Sequence, residues 1–381
     1  MRTNLRGPAL AASAFLLLTL SAAAVSAQVK TRAFRHAFPA AGNSELRLAN
    51  LAGRVELVPA TGNQVVVEAT VHADANTAAE TQKLLQEMKW VRSTDRSGNP
   101  EWALSYPVER YKGFTYPRPG QGDGDLPGFV DFFLNLGGGS QSQTTYRGER
   151  IRIYAEERSS APVLFANLRI ALPAGSHVVV RNVVGAVNGQ GDLEGMLTVD
   201  TGSGNVRLAS YSGNLTIDTG SGNVTVGSVR GETLIDTGSG DVVVRKLVGN
   251  GMVDTGSGNV TIESVSAGRL GIDTGSGDVT VRNGTAAKLL ADTGSGNVRV
   301  IQVEVQELEA DTGSGDVTVN SSLAQARRVV ADTGSGNVRI FAGPDASFDV
   351  ESDQGSGELR VGYADAALRK SGRKVVGARR G

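Results

Sequence analysis

One short string governs this chain. Asp-Thr-Gly-Ser-Gly occurs eight times, beginning at Asp200, Asp218, Asp236, Asp254, Asp273, Asp292, Asp311 and Asp332, and a ninth copy at Asp353 reads Asp-Gln-Gly-Ser-Gly. The steps between copies are 18, 18, 18, 19, 19, 19, 21 and 21 residues. Each copy is followed by Asn, Asp or Glu and then by an apolar residue. Each is preceded by a short apolar stretch such as Leu215-Thr216-Ile217. Two or more Gly per unit, among β-branched residues, disfavour helix. The unit reads as strand, Gly-rich turn, strand, second turn. Alternation is period two: Val206 and Leu208 point inward and Arg207 outward, as do Val298 and Val300 around Arg299. Strands this short cannot bury a face alone, but stacked copies pack like on like. The expected fold is all-β: a single-stranded parallel β-helix (β-solenoid) of about nine coils of 18–21 residues, with coils about 4.8 Å apart. A propeller blade needs about twice that period.

Two polar columns run down such a stack. The residue after Gly-Ser-Gly runs Asn205, Asn223, Asp241, Asn259, Asp278, Asn297, Asp316, Asn337, Glu358. No two neighbouring coils both carry an acid there. Like charges at about 4.8 Å repel by about 0.9 kcal/mol even in water, and interleaved Asn doubles the spacing and adds amide ladders. The first position, in contrast, is Asp in all nine copies: Asp200, Asp218, Asp236, Asp254, Asp273, Asp292, Asp311, Asp332 and Asp353. The expectation is structural turn capping, each carboxylate accepting N–H bonds from its own turn. The other reading is a cation such as Ca²⁺ along the row, although the nonapeptide spacing of Ca²⁺-binding β-rolls is missing.

The flanks differ in character. Arg2 and Arg6 precede an apolar run from Ala9 to Leu20, and Val25 and Ala27 suit a cleavage site before Gln28. Residues 1–27 therefore read as a secretory signal peptide. Its removal leaves 38 − 2 = 36 basic against 39 acidic residues, a net charge of −3. Residues 28–175 form a β-rich segment with a helix at about 77–90, where Thr77 and Glu80 have capping-box spacing. Within it lies a Gly/Pro/aromatic insertion at 107–148, either a small aromatic core under a long loop or a binding face. The solenoid is placed at 176–361. Residues 362–381 form a basic C-terminal tail, read as a solvated end or as a contact for the acidic solenoid or an anionic surface. Tyr363 to Leu368 are placed to cover the open end of the stack.

Composition narrows the chemistry. The chain has no Cys and three His among 381 residues. Disulfides, thiolate metal sites and thiol nucleophiles are excluded, and zinc or His-based catalysis is disfavoured. Near-zero net charge gives no reason to expect a nucleic-acid partner. Asp-Thr-Gly-Ser is also the active-site string of aspartic proteases, but there two carboxylates converge across a two-fold axis to share a proton. Copies one coil apart point the same way. Gly120-Gln121-Gly122-Asp123-Gly124 lacks the Lys and the strand–helix frame of a phosphate loop.

The nine units closing on Asn/Asp-Val, the opening Leu48-Ala-Asn-Leu-Ala-Gly-Arg-Val-Glu-Leu and the approach Val178-Val-Val-Arg-Asn-Val-Val-Gly resemble the bacterial putative-adhesin family, a domain family of unknown function. The resemblance spans about Glu45 to Val361. It implies an exported β-solenoid with an adhesin-like role, and it carries no catalytic residues. The expectation is a non-enzymatic envelope or surface protein that binds an unidentified glycan or protein, with no cofactor and no transmembrane segment after signal cleavage. The alternatives are a polysaccharide-active β-helix enzyme and a Ca²⁺-stabilised surface module.

Overall fold

The computed structural model describes residues 29–39, 44–95, 97–117, 141–155, 161–352, 358–372 and 374–381. The expected signal segment 1–27, the middle of the 107–148 insertion and the Asp353 copy of the repeat lie outside these residues.

The repeat folds as its alternation requires. Successive coils pair strand on strand in parallel, within one 24-stranded sheet. Val206, Val224, Val242, Val260, Val279, Val298 and Val317 are registered partners, and all are fully buried. A second inner column runs from Leu208 to Val319. Each such side chain contributes about 1.5–3 kcal/mol by leaving water. Because every inner residue meets its own kind, the core repeats as the sequence does. The β-solenoid has about nine turns of stacked parallel coils.

The stack begins earlier than the repeat string. Leu46–Ala52 pairs in parallel with Ser176–Val184, and Val55–Ala60 pairs with Val187–Thr201. Residues 46–60 thus form a coil beneath the one that starts at Ser176, although the sequence suggests a boundary near 175. Each of these coils turns on a buried Asn. Asn182 Nδ2 donates to Gly53 O at 2.8 Å and Gly185 O at 2.9 Å. Asn50 Nδ2 donates to Asn182 Oδ1 at 2.9 Å and Ala166 O at 3.0 Å. Tyr106 OH donates to Asn50 Oδ1 at 2.9 Å. The network satisfies buried polar atoms that would otherwise be costly.

The remaining N-terminal elements close this end. Lys30–Pro39 and Val163–Pro173 flank Gln64–Asp74 in antiparallel pairing. One helix, Ala78–Glu87, packs Leu84 and Leu85 inward. Thr77 is its N-cap, its hydroxyl accepting from Glu80 N at 3.1 Å. The helix stops short of the expected residue 90 because buried Met88 turns extended and leads into strand Trp90–Thr94. Arg32 Nη1 meets the freed carbonyls of Leu85 at 2.8 Å and Met88 at 3.0 Å, a cation where the helix dipole favours one. The described edges of the insertion pack Phe114 and Tyr146 against Tyr106, which precedes it.

The basic C-terminal residues form paired strands, of which Ala367–Ser371 is exposed along its whole length. Phe348–Glu351 and Ala367–Ser371 both pair antiparallel with Lys374–Arg380. Arg369 and Arg380 are held by Asp349 and Asp365 at 3.0 and 2.8 Å. Tyr363 OH donates back to Ala342 O at 2.9 Å, beside the last coil. Local acids thus neutralise part of the charge that made this segment look loose.

Candidate functional site

Eight of the nine aspartates singled out from the sequence stand in one row. Asp200, Asp218, Asp236, Asp254, Asp273, Asp292, Asp311 and Asp332 are registered partners in consecutive coils. Asp200 is half-buried and the others are exposed. Parallel strands give every carboxylate the same outward direction, about 4.8 Å from the next. Burial, and then the carboxylates of Asp200 and Asp236, push Asp218 above the ordinary Asp range. Burial, and then Asp273 and Asp311, do the same to Asp292. The copies are related by translation along the stack, so no dyad brings two lobes together.

The Thr of each copy faces the opposite way. Thr219, Thr237, Thr255, Thr274, Thr293 and Thr312 are fully buried. Thr219 Oγ1 donates to its own turn at Ser221 O, 3.3 Å. Thr293 and Thr312 donate to the preceding coil, at Gly277 O (2.9 Å) and Gly296 O (2.8 Å). Thr hydroxyls therefore anchor these turns. N–H bonds to the aspartates are made as well: Asp332 Oδ1 accepts from Thr333 N at 2.7 Å, and Asp292 accepts from Thr293 N.

The Asn/Asp column after Gly-Ser-Gly is a continuous ladder. Asn205 Oδ1 accepts from Asn223 N at 2.9 Å, Asn223 Oδ1 from Asp241 N at 2.9 Å and Asp241 Oδ1 from Asn259 N at 2.8 Å. The pattern continues through Asp278, Asn297 and Asp316 to Asn337. Asn side chains add Nδ2 bonds to Asp241, Asp278 and Asp316. Burial alone would raise Asp278, but Arg299 at 2.5 Å and the Asn297 donors outweigh it and hold it low. Arg339, also at 2.5 Å, and Asn337 bring Asp316 down to about 2.

At the head of the aspartate row the pattern breaks. The registered partner of Asp200 is Arg181, and that of Arg181 is Ala49. A cavity of about 400 Å³ opens here between Arg47, Asp95, Glu101, Thr144, Arg181 and Asp200. Asp95 is saturated: it accepts from Arg47 Nη1 (2.9 Å), Ser97 N (2.9 Å), Asn99 N (2.8 Å) and Asn99 Nδ2 (3.0 Å). Glu101 is 3% exposed, and its nearest cation is Arg181 Nη1 at 3.8 Å. Burial pushes its carboxyl above the usual range against the pull of Arg181. The sequence reading missed this pocket. One local signal was present: aligning Val178-Val-Val-Arg with Leu197-Thr-Val-Asp sets Arg181 where every repeat copy has Asp. Among the described residues, no group of three or more His, Cys, Asp or Glu is arranged to hold a metal ion, and no helix is long and apolar enough to cross a membrane.

Residues 234–380 match the model of the Toastrack DUF4097 family. No curated protein matches the sequence. Similar solved structures include a "putative adhesin" from Parabacteroides distasonis, 12% identical, covering 82% of this chain and 98% of that one with a TM-score of 0.35. A "putative lipid binding protein" from the same species is 10% identical, covering 81% and 96%, with a TM-score of 0.33. A "putative cell adhesion protein" from Clostridium sporogenes is 10% identical, covering 82% and 100%, with a TM-score of 0.22.

Proposed function

We propose that this chain, whose residues 234–380 match the Toastrack DUF4097 family, is an exported, non-enzymatic β-solenoid that serves as a binding scaffold at the cell envelope or surface. The observation that carries this reading is the outward row of eight registered aspartates. Acid–base catalysis needs two groups whose surroundings push their pKa values apart. Translation along a stack does the opposite, and the shifts at Asp218 and Asp292 have the same sign. What such a row offers is one rigid face with the same charge at every coil, suited to an extended or repetitive partner. Export is supported by Arg2, Arg6, the apolar run and the small residues before Gln28.

The test has two arms. Full-length chain is expressed in a bacterial host and fractionated; export with an N-terminus at Gln28 is the expected result, and full-length protein retained in the cytoplasm overturns that half. Mature chain is then incubated with isolated envelope material, beside a variant carrying Asp236→Asn, Asp273→Asn and Asp311→Asn. Binding that weakens in the variant supports the scaffold. Absence of binding, or cleavage of envelope polysaccharide by the mature chain, overturns it.

A further inference from the structure

We propose that the cavity at the head of the aspartate row is a binding site for a neutral polyhydroxyl ligand, the size of one sugar ring, gripped by Glu101, Arg181 and Asp200. The proposal deepens the scaffold reading by naming a ligand class, and it rests on that reading for its biological setting. About 400 Å³ lies within the range of small-molecule clefts, about 300–1,000 Å³.

The argument starts from Glu101. Its side chain is 4% exposed, and the nearest cation among the described residues stands beyond hydrogen-bond distance. Buried carboxylates are costly without donors. Arg181 Nη1 stands 3.8 Å from Glu101 Oε2, and Arg181 Nε stands 3.8 Å from Asp200 Oδ2. Both gaps are too long for a direct hydrogen bond. A hydroxyl group fits such a gap, because it donates to the carboxylate and accepts from the guanidinium at once. Neighbouring hydroxyls on one ring can serve both gaps.

The other walls select against charge. Arg47 and Arg181 face Asp95, Glu101 and Asp200, so acids outnumber cations and an anion is repelled. A cationic ligand would compete with Arg181 for the same two carboxylates. Asp95 is saturated by four donors and acts as a fixed wall. Leu48, Val179 and Val183 add apolar surface for the C–H face of a ring. Thr144 supplies a further hydroxyl.

The experiment titrates the mature chain with free glucose, galactose, N-acetylglucosamine and mannose, followed by NMR shifts and calorimetry. Glu101→Gln keeps the volume and removes the charge, Thr144→Val alters the facing wall, and Asp254→Asn is the control in the same row three coils away. The expected result is saturable binding of at least one sugar, weakened tenfold or more by Glu101→Gln and reduced by Thr144→Val, with Asp254→Asn unchanged. Thermal melts of each variant are recorded, so that a variant which fails to fold is set aside and the other decides. If no sugar binds, or if binding survives both changes, the proposal falls. Envelope binding is measured on the same variants. Envelope binding that survives loss of the pocket leaves the scaffold reading standing while the pocket proposal falls.

Discussion

Asn259→Asp tests whether interleaved amides are what let the turn column carry acids. Asn259 sits between Asp241 and Asp278. Its backbone N–H and Nδ2 both donate to Asp241 Oδ1, at 2.8 and 3.1 Å, and its Oδ1 accepts from Asp278 N at 2.9 Å. The new carboxylate keeps the acceptor role and loses the Nδ2 donor, about 1 kcal/mol. It also stands about 4.8 Å from two other carboxylates. Each pair costs about 0.9 kcal/mol in unscreened water, or about 0.5 kcal/mol at 0.1 M salt, where the Debye length is about 10 Å. The total is a destabilisation of about 2 kcal/mol, half of it electrostatic. At 1 M salt, where the Debye length is about 3 Å, roughly 0.6 kcal/mol returns. The assay is urea unfolding followed by circular dichroism at both salt concentrations, with Asn259→Ala as the uncharged control. Since solenoids need not unfold in one step, midpoints at the same probe are compared. Wild-type stability at low salt, or a salt response no larger than that of Asn259→Ala, refutes the reasoning.

Gly258→Ala should destabilise by about 2 kcal/mol or more: Gly258 has φ +146° and a Cβ there would lie 2.1 Å from Gly240 O. Gly271→Ala, with open space around its Cβ, should be neutral to slightly stabilising, and paired thermal melts check both. Asp292→Asn should stabilise at neutral pH by up to about 1 kcal/mol, the scale of exposed charge interactions. The sign follows from the raised carboxyl: the folded state is penalised above that pKa and relieved as pH falls through it, so the gain should fade below about pH 4, as read by unfolding midpoints against pH. Asp316 should titrate near 2, and Arg339→Gln should move it up towards the ordinary Asp range in a carboxyl NMR titration.

The coil period and the inward or outward sense of Val206, Arg207 and Leu208 were legible because they depend only on contacts between equal positions in successive repeats. The same logic hid the coil at residues 46–60. Asn50-Leu-Ala-Gly53 and Asn182-Val-Val-Gly185 occupy the turn without the repeat string, and what they share with it is a polar residue followed three places later by Gly. That Gly is obligatory: Gly185 has φ +125°, and a Cβ there would meet Gly53 O at 2.1 Å. The Asn/Asp ladder was readable from charge alternation alone, since adjacent acids were already excluded on Coulomb grounds. The pocket was not, because Arg47, Glu101 and Arg181 come from three strands far apart in sequence that meet only through the pairings of Leu48 with Trp102 and Val180. The pairing of the basic tail was not legible because Asp349 and Asp365, which hold Arg369 and Arg380, lie 20 and 15 residues earlier in the chain.

One stack thus treats two acidic columns in opposite ways, and the local geometry accounts for the difference. In the turn column each side chain is committed: its oxygen accepts the N–H of the next coil, as from Asn205 to Asn223 and Asn223 to Asp241. A carboxylate locked in that geometry cannot swing away from a neighbour, so acids must be separated by amides or drawn off by Arg299 and Arg339. In the strand column seven of the eight aspartates are exposed, and the Thr beside each of those seven, from Thr219 to Thr333, bonds a turn carbonyl. Exposed on the strand face, the carboxylates can fan out into water, which lowers the repulsion between neighbours. A continuous charged row is then tolerated on the strand face and excluded from the turn. The division of labour between Thr and Asp leaves the acid row open to a partner while the coil beneath it stays fastened.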